Sequence, residues 1–455
     1  MFAKFDGTGR QPRQVQKDVF SWLEKNWQEP VLAINAPTGI GKSAVLRALQ
    51  LEFPGTMGII PTNILIDQYR GIYPDLNYLK GKDHYDTETE YVEHRSRAQD
   101  GEATIFNPMS LFSYARPRKD VEPNRLSDIG VIDEAHKLLD FVNLLTSGSF
   151  KHTKFPFPST VADSCFTTIQ WLQAMARRPD LEWTEQTHFK FLARSLAAHP
   201  QDYVVYIEKR KYYKNLINTL HVRPLVPSKL ILSRLLGFKK LILMSATLLH
   251  SDLWDLNLTH YKYLDMPSPI NKENRKVLYR PAALPFNFRT KPEDVAKYIK
   301  ETLTAYPGLN TIVHVSYGWA EKLRPFFPNA LFNLSSDKHH VLQDFKANGG
   351  VWIASGCAEG IDLPGDECRL TIIPMVIKPN IKDPVIAKLL TRELGQVKYD
   401  LQCVKQLIQQ VGRGTRGEDD FSTTIVGDQM FPRLITANRQ YLPKSFLEAI
   451  QWRKS

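Results

Sequence analysis

Cysteine is scarce in this chain of 455 residues, and the four that it has are Cys165, Cys357, Cys368 and Cys403. No two of them form a C-x-x-C pair, so neither a zinc ribbon nor a disulfide framework is indicated. Residues 69–132 contain no cysteine at all. Free thiols in a reducing compartment are therefore the expectation.

Long apolar runs are also missing. No segment approaches the ~20 apolar residues that a membrane span requires. The first residues, MFAKFDGTGRQPR, lack the apolar segment of a signal peptide. The sequence therefore predicts a soluble intracellular protein, cytoplasmic or nucleoid-associated, without a membrane partner.

Acidic residues are outnumbered, since 48 Asp and Glu face 59 Lys and Arg, which gives a formal charge of +11. This surplus favours a polyanionic partner, and nucleic acid is favoured over a membrane because no basic amphipathic anchor stands out. A basic protein without such a partner is the alternative. With 43% hydrophobic residues, the chain can form packed cores in several domains.

Short runs rich in Val and Ile alternate with helical patterns in two stretches, which is typical of parallel sheets covered by helices. VLAINA, TMGIIPT, ATIFNP, IGVIDEA and KKLILMSAT supply the first set of strands, and NTIVHVSY, GGVWIASG, RLTIIPMVI and STTIVGD belong to the second. Residues 149–222 show helical stretches but no series of buried strands. The prediction is an α/β fold of two domains, with a mostly helical insertion in the first.

A variant of a phosphate-binding loop lies between the strand VLAINA and the helix KSAVLRAL. This position directs the free N–H groups of a helix start at phosphates. Gly39 and Gly41 permit the tight turn, Lys42 supplies a charge for the phosphates, and Ser43 supplies a hydroxyl for Mg²⁺. The other predicted nucleotide-binding positions of the loop are Ala36, Pro37, Thr38 and Ile40.

Two adjacent carboxylates end the apolar run GVIDEAH. A buried strand would deliver Asp133 and Glu134 at its carboxyl end, where α/β proteins bind ligands. Asp133 is predicted to bind Mg²⁺ and the nucleotide, and Glu134 to orient or deprotonate the attacking water. A polar helix cap is the alternative explanation of the pair.

A third motif, LIQQVGRGTRGEDD, places Gln409, Arg413 and Arg416 at spacings of four and three. If a helix starting near Asp400 continues through them, the three side chains share a face. Arginines placed in this way suit the charge that develops on a transferred phosphoryl group. We therefore predict catalytic roles for all three, with a basic surface patch as the alternative.

Together these motifs resemble those of the superfamily 2 helicases, and in particular the XPD/DinG-like branch. APTGIGKS is similar to motif I, PTNILIDQ to Ia, DEAH to II, MSATL to III and QQVGRGTR to VI. The choice of branch rests on longer stretches, above all GCAEGIDLPGDECRLTIIPMVIKPNIKDPV, whose core is similar to an extended motif V.

This resemblance implies two RecA-like domains that hydrolyse ATP with Mg²⁺ in their cleft and move 5′ to 3′ on DNA. The expected boundaries are residues 1–148 for domain 1, 149–222 for an arch-like insertion, 223–258 for the rest of domain 1, and 259–455 for domain 2. A monomer on single-stranded or branched DNA is expected, with RNA as a further substrate and DNA repair or replication as the setting.

The resemblance also implies roles for single residues. Gln14 would contact the adenine, and Asp362 would lie at the domain cleft beside the nucleotide. Thr62 and Ser316 would line the nucleic-acid track, while Arg413 and Arg416 would act as arginine fingers.

One departure concerns iron. Many members of this branch carry a four-cysteine iron–sulfur domain between motifs Ia and II, where this chain has no cysteine. No such cluster is expected here, because its thiolate ligands are missing. An RNA-directed or strand-remodelling ATPase with weak unwinding is therefore one alternative function. A nucleic-acid-binding adaptor regulated by ATP is another.

Two further features of the sequence are candidate sites. The adjacent His339 and His340 would point in different directions on a helix, which disfavours a metal site. In YVVYIEKRKYYKN, the tyrosines Tyr206, Tyr212 and Tyr213 lie among basic residues. Stacking with bases and ordinary amphipathic packing explain this pattern equally well.

Overall fold

A computed structural model describes most of the chain. The described residues are 11–37, 40–114, 127–212, 215–227, 229–287, 289–333, 337–357, 361, 363–412, 414–415 and 419–452. They divide into two compact units. The first comprises Met1–Ile34, Lys42–Tyr263 and Asn380–Gly395, and the second comprises Asn35–Gly41, Leu264–Pro379 and Gln396–Ser455.

The apolar runs of the sequence form strands, and further strands form outside them. Within the described residues they are β1 (Val31–Asn35), β2 (Met57–Ile59), β3 (Asn77–Leu79), β4 (Thr104–Phe106), β5 (Ile129–Ile132), β6 (Gly148–Lys151), β7 (Tyr203–Tyr212), β8 (Asn215–Pro224), β9 (Lys240–Ser245), β10 (Lys262–Asp265), β11 (Arg275–Tyr279), β12 (Thr311–Val315), β13 (Leu331–Phe332), β14 (Val351–Ser355), β15 (Leu370–Ile373), β16 (Ser422–Val426) and β17 (Ile450–Trp452).

Helices fill most of the intervals between strands. They are α1 (Gln14–Lys25), α2 (Lys42–Glu52), α3 (Asn63–Ile72), α4 (Glu88–Gln99), α5 (Pro108–Tyr114), α6 (Leu138–Thr146), α7 (Cys165–Met175), α8 (Trp183–Ala198), α9 (Lys229–Leu235), α10 (His250–Asp255), α11 (Pro292–Ala305), α12 (Tyr317–Leu323), α13 (Lys338–Asn348), α14 (Pro384–Leu390), α15 (Gly395–Val411), α16 (Phe431–Asn438) and α17 (Lys444–Ala449). None of these helices is long and apolar enough to cross a membrane.

The first seven-stranded sheet has the order β10-β1-β9-β5-β2-β4-β3. The pairings that join β9, β5, β2, β4 and β3 are all parallel. Its central strands are buried on both faces, as the fully buried Phe106 and Leu243 illustrate. This burial explains why the strands read as continuous apolar runs rather than as alternating patterns.

The second sheet also has seven strands, in the order β13-β14-β12-β15-β16-β11-β17, and every pairing in it is parallel. The buried Ile312, Trp352 and Ile372 lie on its three neighbouring strands β12, β14 and β15. Two parallel sheets flanked by helices confirm the predicted fold class of two RecA-like domains.

The insertion differs from the prediction of a mostly helical segment. It contains α7 and α8, but also an antiparallel sheet of order β6-β8-β7 whose two long strands form a hairpin. One face of this sheet packs on an aromatic core that includes Phe150, Trp171 and Phe189. The insertion is therefore a mixed α+β unit, in which a three-stranded sheet accompanies the expected helices.

A segment from the C-terminal part of the chain, Asn380–Gly395, is grouped with the first unit. Its helix α14 contacts β7 of the insertion. Arg223 donates to Asp383 at 2.6 Å, and Arg392 donates to Asp202 at 3.3 Å. Two ion pairs therefore fix this segment, which we call the return segment, to the insertion.

Candidate nucleotide site

The phosphate loop, residues 36–43, leaves the end of β1 and enters α2 at Lys42. Ala36 and Ile40 are buried, while Gly41 has a φ of 81°. Glycine adopts this left-handed conformation without the steric cost that a side chain would add, so Gly41 is required by the turn. Pro37 is the second residue after β1, at the entry of the loop. Thr38 and Gly39 lie outside the described residues.

The two carboxylates of DEAH follow β5, as the sequence predicted. The Asp133 N–H donates to the carbonyl of Ile59 on β2 at 3.0 Å, which continues the sheet beyond the strand. Glu134 then adopts a left-handed conformation with a φ of 48°. A non-glycine residue in this conformation is strained, and such strain persists where neighbouring contacts hold it.

Those contacts come from three different segments. Lys42 Nζ lies 3.2 Å from Glu134 Oε1. The Ser245 hydroxyl, at the end of β9, lies 3.2 Å from Glu134 Oε2, and His136 Nδ1 lies 2.6 Å from the same hydroxyl. Because β1, β9 and β5 are neighbours in the sheet, their carboxyl ends bring Lys42, Ser245 and Glu134 together.

The two carboxylates have opposite pKa shifts. Burial raises the pKa of Asp133, and this effect exceeds the opposing influence of the Lys42 charge. Burial also acts to raise the pKa of Glu134, but the charges of Lys42 and His136 overcome it and leave that pKa below its usual value. Glu134 is therefore ionised at neutral pH, as an acceptor for a water proton must be.

Sequence reasoning missed Tyr69 altogether. Its hydroxyl donates to Asp133 Oδ2 at 2.7 Å, and both side chains are buried. The other oxygen, Asp133 Oδ1, accepts the N–H of Glu134 at 2.9 Å. No sequence pattern signals this contact, because the two residues are separated by 64 positions.

The residues at this site fit a nucleotide bound with Mg²⁺. The metal prefers carboxylate and hydroxyl oxygens, which Asp133 and Ser43 provide, and the start of α2 offers backbone N–H groups to phosphates. No cluster of three or more His, Cys, Asp or Glu side chains that could hold a metal ion occurs among the described residues, including those around His339 and His340.

The predicted contacts to adenine and nucleic acid lie at helix starts. Gln14 is the first residue of α1 and donates to Asp18 at 2.8 Å on the surface. The exposed Thr62 caps α3 by accepting the N–H of Leu65 at 3.3 Å. Ser316 precedes α12, and its side chain makes no capping hydrogen bond. The roles of Gln14 in binding adenine and of Thr62 and Ser316 in binding nucleic acid therefore stay predictions.

Motif VI departs from the expected uninterrupted helix. Helix α15 begins at Gly395 rather than near Asp400, and it ends at Val411, so Gln409 lies in its last turn, half-buried. A side chain at Gly414 would lie 2.7 Å from the carbonyl of Cys368, which explains the second glycine of G-R-G. Arg413, Arg416 and Asp362 lie outside the described residues.

Comparisons with known proteins agree with this architecture. Residues 296–449 match the helicase C-terminal domain family. No match was found among curated protein sequences. A solved structure of apo XPD and another of the XPD helicase each align with a TM-score of 0.62 and 16% identity, over 97% of this chain and all of the other.

A third structure, Xpd4 of S. tokodaii, aligns with a TM-score of 0.58 and 13% identity over the same share of each chain. At such identities the likeness concerns the fold. The resemblance drawn from the motifs is thereby confirmed at the level of domain and architecture. Residues 296–449 are therefore similar to the helicase C-terminal domain family, and the chain has the two-sheet fold seen in the solved XPD structures.

Proposed function

We propose that this protein is an ATP-dependent helicase or translocase that moves 5′ to 3′ on single-stranded DNA. One observation carries the proposal. Lys42 lies 3.2 Å from Glu134, and Asp133 is adjacent to that pair at the same edge of the sheet. A lysine for phosphates, a carboxylate for Mg²⁺ and an ionised carboxylate for water are the groups that nucleotide hydrolysis requires.

Each residue of the site has a distinct task in this proposal. Lys42 binds the terminal phosphates as a point charge, and Ser43 and Asp133 hold the metal. Mg²⁺, when bound, neutralises charge on the phosphates. Glu134 orients the attacking water and accepts its proton, while Ser245 and His136 keep the Glu134 side chain directed toward it.

Nucleic acid as the partner is supported by the helicase domain, the fold and the charge of +11. The insertion also presents exposed basic residues that could contact phosphates. Lys209, Arg210 and Lys211 are exposed on β7, beyond Ile207, where the apolar core under the hairpin ends. Of these three, Arg210 pairs with Glu208 at 2.9 Å. Phosphate contacts of this kind give binding that is independent of sequence and sensitive to salt.

Steady-state ATP hydrolysis, with and without single-stranded DNA or RNA, tests the proposal. We expect turnover that nucleic acid stimulates and that the Lys42→Ala variant lacks. The variant is a strict control because it removes the phosphate-binding charge and leaves the α2 backbone intact. Wild-type turnover no higher than that of the variant would refute the motor function and leave an ATP-regulated adaptor.

A motor that moves along RNA or remodels strands, with weak unwinding, is favoured by one observation. Residues 69–132 have no cysteine, so the iron–sulfur element that many helicases of this branch carry has no thiolate ligands here. Strand displacement on 5′-tailed and 3′-tailed duplexes, each made as DNA and as RNA, separates the two functions. Release of the 5′-tailed DNA strand alone supports a 5′ to 3′ DNA helicase.

A further inference from the structure

The hydrogen bond between Tyr69 and Asp133 is buried. The two side chains are 5% and 7% exposed, so neither the hydroxyl nor the carboxylate has ready access to water. A buried carboxylate needs donors for its oxygens, because an unpaired buried charge is costly. Here each oxygen has one donor, the Tyr69 hydroxyl and the N–H of Glu134.

These two donors fix the rotation of the carboxylate. The N–H of Glu134 belongs to the strained turn after β5 and sets the position of Oδ1. The Tyr69 hydroxyl approaches from α3, a different segment, and sets the position of Oδ2. A carboxylate with both oxygens held can accept a metal only along its remaining lone pairs, so its direction is determined before the metal binds.

Helix α3 is itself held in place, which makes Tyr69 a fixed donor. Thr62 caps its first turn. Asn107, which precedes α5, donates to Asn63 at 2.6 Å. Farther along α3, Lys80 forms a hydrogen-bonded ion pair with Asp67. The contacts of Asn63 and Asp67 tie the part of α3 that precedes Tyr69 to neighbouring segments.

We propose that Tyr69 is a positioning residue that orients the Asp133 carboxylate to receive Mg²⁺. The inference rests on the proposed function, since it assigns Asp133 to the metal. Partners that orient a metal-binding carboxylate contribute to affinity without touching the metal, and their loss typically lowers metal affinity about 10-fold to 100-fold. The competing explanation is that Asp133 merely satisfies a buried hydroxyl.

The Tyr69→Phe variant removes the hydroxyl and keeps the ring. Binding of a fluorescent ADP analogue is measured in EDTA and over a range of Mg²⁺ concentrations. We expect affinity in EDTA to stay within twofold of wild type. The Mg²⁺ concentration that gives the half-maximal gain in affinity should rise about tenfold, with the full gain restored at high Mg²⁺.

Tyr114→Phe is the matched control. Tyr114 is 2% exposed, and its hydroxyl donates to the carbonyl of Ala98 at 3.2 Å, so this variant also loses one buried hydroxyl from the same unit. Melting temperatures of both variants, measured without nucleotide, reveal any general loss of stability. We expect the control to keep the wild-type Mg²⁺ dependence.

Two results would overturn the role of Tyr69. One is a Mg²⁺ dependence in Tyr69→Phe that equals the wild type, and the other is the same rise in Tyr114→Phe. A separate outcome concerns the proposed function. If wild-type protein binds the nucleotide no better with Mg²⁺ than in EDTA, the metal site fails and the role of Tyr69 fails with it.

Discussion

The Glu134→Gln substitution tests whether this carboxylate is needed for chemistry or for structure. Glutamine has nearly the same shape, can still accept from the Ser245 hydroxyl, and adopts the strained backbone of residue 134 no less readily. The change removes the charge that faces Lys42. Without that charge the water loses its proton acceptor, and we expect turnover to fall by about 10² to 10⁴.

The effect on stability should be much smaller. At 3.2 Å and an effective dielectric constant of about 20, the direct attraction between Lys42 and Glu134 is about 5 kcal/mol. The cost of taking both charges out of water offsets most of this energy. Because a quarter of the Glu134 side chain is exposed, we expect the free energy of unfolding to fall by about 1 kcal/mol or less.

Phosphate release at saturating nucleic acid and chemical denaturation provide the two measurements. Glu102→Gln is the matched control, since it removes a carboxylate that accepts from Arg97 Nε at 2.7 Å, outside the nucleotide site. Nucleotide binding by Glu134→Gln should persist. Turnover within tenfold of wild type, or a loss equal to that in Glu102→Gln, would refute the assignment of Glu134 as the proton acceptor.

Three further predictions concern other parts of the chain. Arg416→Ala should leave nucleotide binding largely intact and lower turnover by ~10³ or more, and equal turnover would remove it from catalysis. Replacing both Lys209 and Lys211 by Glu should weaken binding to single-stranded nucleic acid. The slope of log affinity against log salt concentration, measured by fluorescence anisotropy, should become shallower by about 1.4. Burial lowers the pKa of His94, so the unfolded chain binds its proton more readily and stability falls as pH drops below about 6.5. His94→Gln should therefore show a shallower fall in melting temperature between roughly pH 7.5 and 5.5, whereas an unchanged slope would contradict this.

The strands of both sheets were predictable because strands buried on both faces leave a clear trace in the sequence. β1, β5 and β9 appear as VLAIN, IGVI and KLILMS; Asp133 directly follows β5, and Ser245 is the last residue of β9. The phosphate loop and the carboxylates after β5 could be placed for the same reason. The positions of these motifs after their strands therefore predicted that Lys42 and Glu134 belong to one nucleotide site, but not the contact between them.

The insertion was misread for a physical reason. β7 begins YVVYI and continues EKRKY, because the strand extends beyond the core that covers its first half. Its outer part therefore lacks the alternation of apolar and polar residues that marks a half-buried strand. The stacking of Tyr206 on His221, at 4.9 Å between ring centres, depends on the hairpin register, which the sequence does not reveal.

The sequence of motif VI itself indicates that the helix ends before Arg413. Gly412 and Gly414 interrupt the pattern, and glycine is a poor residue for a helix interior. The end of α15 at Val411 agrees with that propensity. By contrast, nothing in the sequence could reveal the contact between Tyr69 and Asp133, since it depends on how α3 packs against the turn after β5.

The return segment has a consequence for dividing the chain into fragments. The match to the helicase C-terminal domain spans residues 296–449, and so it includes Asn380–Gly395, whose partners Asp202 and Arg223 precede it by more than 150 positions. A fragment expressed from residue 264 onward would carry α14 without the strand that it contacts. Co-expression of the two halves, rather than either half alone, is therefore the way to obtain this segment in its native surroundings.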